Sequence, residues 1–92
     1  MSYYLHDING YVGDLASTHA LNLLSDFALA ESDSETVKQF FIEGHSPITP
    51  DLIDGIKSLS SGDRDIQITL DNLVLLLGKS KEVAIITDGM TA

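Results

Sequence analysis

The sequence predicts an α+β fold in the order β-β-α-α-α-α-β. An N-terminal β-hairpin is followed by about four short helices and a C-terminal strand that completes a three-stranded sheet. Three observations carry this expectation. Asn9-Gly10 stands between two short apolar-aromatic runs and signals a tight hairpin. Four segments between residues 18 and 78 repeat apolar residues at helical spacing, each behind a capping residue. Val83 to Ile86 is continuously apolar, as in a strand covered on both faces or central in a sheet.

The hairpin strands are expected near 3–7 and 11–15, with Asn9 and Gly10 both tolerating positive φ at the turn. Ala16-Ser17-Thr18 offers hydroxyls to cap a first helix over roughly 18–30, whose apolar face is Ala20, Leu23, Leu24, Phe27 and Ala28. Ser32 and Glu35 stand three apart, the spacing of a capping box, and Asp33 suits the positive end of a second helix. That helix turns Val37, Phe40 and Phe41 inward and stops at Gly44. Ser46-Pro47 interrupts. Thr49-Pro50-Asp51 then opens a third helix in the order cap, first position, first turn, and Ser60-Ser61-Gly62 ends it. Gly55 inside this helix costs about 1 kcal/mol relative to Ala, which implies close packing or a marginal helix.

Residues 63–78 admit two readings. Ile66, Leu70, Leu73, Val74 and Leu77 fit a helix face capped by Asp63 and ended by Gly78. Asp65 to Leu70 also alternates like a strand, which would make residues 65–87 a β-meander. The Leu-rich second half favours the helix, since β-branching there is limited to Val74. The last strand, over 82–87, has the N-terminal hairpin as its natural neighbour.

Ninety-two residues are expected to make one domain, 1–92, with a modest core. With no Cys there is no disulfide, thiolate nucleophile or zinc-thiolate site, so stability must come from packing, including packing on a second copy. Fourteen acidic against five basic side chains give a net charge of −9. That sign disfavours direct contact with nucleic-acid phosphates and with anionic membrane surfaces. It leaves a basic protein partner, a cation, or no partner at all. The run Leu73–Leu77 is too short to cross a bilayer, and MSYYLHDING lacks the basic and apolar regions of a signal peptide. A cytoplasmic location is the expectation.

The candidate chemistry is thin. Asp88 ends a buried-looking strand, and Asp7 or His6 on the hairpin could meet it, yet Asp88-Gly89 is more simply where the strand turns away. Asp7, Asn9 and Asp14 suggest a calcium loop, but Gly10 falls at its fourth position and Thr18 at its twelfth, so the pattern fails. His6, His19 and His45 lack the i, i+4 spacing of a helical zinc site, although His6 and His19 could form a polar pair. No nucleophile elbow or phosphate loop is present. No catalytic, cofactor-binding or metal residues are therefore assigned, and no cofactor is expected. Five consecutive apolar residues leave the last helix without a polar side, so Leu75 and Leu76, off its main face, are candidates for a self-association contact. The acidic connection carrying Glu31, Asp33 and Glu35 is the second candidate surface.

The N-terminal hairpin, the capped helical middle and the closing Gly78-Lys79-Ser80-Lys81-Glu82-Val83-Ala84-Ile85-Ile86-Thr87-Asp88-Gly89 resemble small proteins of phage and mobile-element gene sets. The resemblance implies no reaction and transfers no functional residue. The expected function is a non-catalytic, acidic protein-binding module of inhibitor, antitoxin or assembly-factor type. The alternative is a structural homo-oligomer subunit, and a remote one is a small metal-dependent hydrolase on Asp7, Asp88 and His6.

Overall fold

The computed structural model describes residues 1–88. Among them the chain forms four strands and four helices: β1 Ser2–Asp7, β2 Gly10–Ser17, α1 Thr18–Glu31, α2 Glu35–Glu43, β3 His45–Pro47, α3 Pro50–Lys57, α4 Arg64–Lys79 and β4 Val83–Asp88. The class is α+β as expected, but the sheet has four strands, all antiparallel, in the order β2-β1-β4-β3. The added strand is the segment where Ser46-Pro47 predicts only an interruption. Gly44 closes α2 with φ 80°, and its carbonyl accepts the Ile86 N–H at 2.7 Å. This left-handed residue lays the next three residues along β4.

The four predicted helices are present, and residues 64–79 are α4, which overturns the meander. Ser17, Thr49 and Asp63 cap α1, α3 and α4 through their side chains. Ser34, not Ser32, caps α2 by accepting the Val37 N–H. Ser32 instead ends α1, and its hydroxyl accepts the Ser34 N–H, so no Ser32–Glu35 capping box forms. The last helix passes Gly78 and ends at Lys79. Gly55 marks close packing: a Cβ there would come within 2.5 Å of Val37 Cγ2, so α2 and α3 touch at a residue without a side chain.

The hairpin differs from its prediction in one detail. Ile8 and Asn9 form the turn with negative φ, and Gly10 alone takes a positive value, 109°. The Asp7 carboxylate holds the turn by accepting the Asn9 N–H at 2.8 Å, a local bond that Asp favours there. Its other oxygen accepts the Lys81 N–H at 2.6 Å and so ties the turn to the entry of β4.

The helices cover one face of the sheet: α1, α2 and α4 meet the strands, and α3 packs on α2 and α4. Leu5, Leu15, Ser46 and Ala84 face that layer and are buried, with Leu24, Phe40, Leu52, Ile56, Leu70 and Leu73 above them. Two register shifts bend β2: its pairing with β1 skips Leu15 and Val12. The skipped Leu15 turns into the core, and the Asn72 amide on α4 donates to the Asp14 and Leu15 carbonyls, both at 2.9 Å. Between the bulges, Gly13 lets Leu76 of α4 reach the sheet, since a Cβ at Gly13 would meet Leu76 Cδ2 at 2.5 Å.

Candidate functional site

Alternation along the strands places a second set of side chains on the face the helices leave uncovered. Directly paired residues share a face, so the register builds a row across all four strands: Tyr11 on β2, His6 on β1, Ile85 on β4 and His45 on β3. A second row joins Asp14, Tyr4 and Thr87, and a third sets Pro47 beside Val83. None of these residues is buried as a whole, although the Thr87 hydroxyl oxygen is shielded from solvent. Tyr11 is 62% exposed. Its ring meets Tyr4 at 5.9 Å and His6 at 6.0 Å between centroids, both near edge-to-face.

The Tyr11 hydroxyl donates to Asp14 Oδ1 at 2.6 Å. This bond to the carboxylate, aided by its negative charge, raises the Tyr11 pKa above the ordinary 10.0. Apart from Asp14 and the two histidines the face carries no titrating charge that the register brings to it. Among the described residues the four strands contain no Lys, Arg or Glu.

The helical layer is the opposite. Glu31, Asp33 and Glu35 all stand exposed around the α1–α2 junction, and Asp51, Asp54 and Asp65 are exposed on α3 and α4. Among the described residues the only ion pair is Lys38 to Glu35, at 3.7 Å. Acid therefore accumulates on the helices while the sheet face stays near neutral.

The sequence-derived candidates are scattered by this architecture. Tyr3, not His6 or Asp7, pairs with Asp88, so Asp88 lies at the far end of β1 from both. Asp7 is committed to the turn and to Lys81, as above. Gly89 lies outside the described residues, so the turn expected at Asp88-Gly89 is described only as far as Asp88. His6 sits on the open sheet face, while His19 is exposed in the first turn of α1. Among the described residues no three His, Asp or Glu side chains stand close enough to share a metal ion, and no helix is long and apolar enough to cross a membrane. Leu75 is 58% exposed on α4 and shares an outward stripe with Ile68, two turns earlier. Leu76, at 5%, is spent on Gly13 and offers a partner no surface.

Two hollows flank α2. One of about 210 Å³ lies between Tyr3, Leu21, Phe41, Ile42 and Ile86. The other, of about 380 Å³, lies between Glu35, Gln39, Glu43 and His45. Both are open to solvent, and neither sets an acid and a base at reacting distance in a dry site.

Sequence reasoning missed the Tyr11–His6–Ile85–His45 row. Tyr4 and His6 do alternate with Leu5, a signal that one face of β1 differs from the other. The placing of His45 beside Ile85 has no local signal, because it depends on β3.

No family model, no curated protein and no solved structure matches this chain.

Proposed function

We propose that this chain is a non-catalytic protein-binding module whose acidic helical layer takes a basic surface of another protein. The observation that supports the reading is the segregation of charge. Exposed carboxylates crowd the helices, one of them is ion-paired, and the five cations are dispersed. Such a field speeds encounter with a basic patch and rejects phosphate backbones and anionic lipid by like charge. Glu31, Asp33 and Glu35 are the most concentrated part of that surface, and Leu75 with Ile68 supplies an apolar anchor on α4. The reading fits an inhibitor, antitoxin or assembly factor of the type that acts by occupying a partner's basic surface rather than by chemistry.

The test begins with capture of proteins from the native host on the immobilised chain, followed by titration of the purified partner. Affinity should fall about ten-fold or more between about 0.05 and about 0.5 M salt. A combined Glu31→Gln, Asp33→Asn, Glu35→Gln variant should slow association while leaving circular dichroism unchanged. An affinity that ignores salt removes this reading.

A further inference from the structure

We propose that a second copy of this chain covers the open sheet face, sheet against sheet. Charge selects that occupant. Two copies of net charge −9 repel wherever their helical layers approach. The sheet face is where they can meet without acid against acid: its one carboxylate off the histidine row, Asp14, is already bonded by Tyr11. Depletion of charge together with aromatic enrichment is the composition of a protein interface centre. A basic partner, by contrast, finds its complement on the other side of the molecule.

The row geometry is self-complementary under a two-fold axis. Let the axis run along the strands between β1 and β4, in the plane between the two sheets. β1 then lies over the partner's β4, and β2 over the partner's β3. The row Tyr11–His6–Ile85–His45 meets its own reverse, so Tyr11 faces the partner's His45 and His6 faces the partner's Ile85. Neither histidine stacks on its own counterpart, and each bulky ring meets a different side chain. Sheets so aligned pack about 10 Å apart.

The available area sets the strength. Four strands at about 4.8 Å spacing and about 3.4 Å per residue present a face of roughly 400 Å² in projection. Two such faces, with side-chain relief, remove roughly 1,000 Å² from water, the lower bound for a specific interface. The dimer is therefore weak and dissociates on dilution. In it the acidic helical layers point outward, so the basic-partner reading and this one occupy different surfaces.

Sedimentation of the full chain from about 1 μM to about 1 mM tests the proposal, with dissociation expected in the micromolar to sub-millimolar range. Tyr11→Glu and Ile85→Glu should each weaken the dimer at least about ten-fold, because Ile85→Glu buries a charge beside the two-fold axis and Tyr11→Glu removes a large ring from each end of the facing row. Leu75→Glu, on α4, should leave it unchanged. Tyr11 is exposed, so its variant remains informative even if Ile85→Glu disturbs folding. Since the chain has no Cys, a Tyr11→Cys chain mixed with a His45→Cys chain should give a mixed cross-link in preference to either self-link. A monomer at every concentration, or a dimer indifferent to both sheet variants, overturns the proposal. Failure here leaves the salt-dependent partner reading standing, and a flat salt response leaves the dimer standing.

Discussion

The two faces of one sheet share strands but not partners. On β1 and β4, Leu5 and Ala84 are fully buried under the helices, while His6 and Ile85, each one residue further along, remain part-exposed on the other side. Leu5 and Ile85, similar in hydrophobicity, thus do different work. Leu5 is held by the core of its own chain, whereas Ile85 has apolar surface left for another molecule. The difference teaches that an apolar strand reports where surface is to be covered, not which chain covers it.

The comparison breaks first at its largest contrast. Leu5→Ala should lower unfolding free energy by about 3 kcal/mol, since it empties a packed site. Ile85→Ala, measured in dilute solution, should cost less than Leu5→Ala, about 1–2 kcal/mol, because that side chain stays part-exposed on the open face and leaves no closed cavity. Equal losses in urea melts would mean the two faces are equally engaged within the monomer.

A smaller effect probes how tightly the helical side is filled. Gly55→Ala gains about 1 kcal/mol of helix propensity but drives a methyl into the buried Val37. Net destabilisation of about 1 kcal/mol is expected by thermal unfolding, and Gly55→Ala with Val37→Ala should restore part of it. A stabilised single variant would show that α2 and α3 can separate freely.

The smallest effect belongs to the open face. Tyr11 ionises above the ordinary tyrosine value, chiefly through its bond to Asp14. Stability from this bond is fully present below the unfolded tyrosine pKa and is lost as pH rises through the raised one. Tyrosinate absorbance of Asp14→Asn should show one group titrating earlier than in the parent chain. Identical titrations would mean the bond is not populated in solution.

Much of the frame was legible because local chemistry agrees with tertiary structure. Thr49-Pro50-Asp51 and Asp63 start their helices as such caps do before apolar spacing, and Asn9-Gly10 marks the hairpin, whose turn is Ile8-Asn9. β3 was not legible. His45-Ser46-Pro47 is too short for alternation, and Pro47 argues against a strand except at an edge, which is where it lies. Val83–Ile86 is central in the sheet as expected, yet only Ala84 is buried, because composition cannot count the layers that stack on a sheet. Leu75 and Leu76 were equivalent as letters. About 100° of helix rotation separates them, and Gly13, 63 residues earlier, draws Leu76 rather than Leu75 inward. The acidic positions Glu31, Asp33 and Glu35 were readable as exposed because a carboxylate is seldom buried unless a buried partner compensates it.

The β1–β4 ladder carries a consequence for how the molecule comes into being. Tyr3 through His6 hydrogen-bond to a strand at residues 83–88, with every helix lying between them in the sequence. On a ribosome the hairpin can zip as soon as it emerges, but its inner edge must wait, backbone groups open, until β4 leaves the exit tunnel. During that interval the nascent chain is exposed to strand-pairing with neighbours, and closure of so distant a contact makes the final step the slow one.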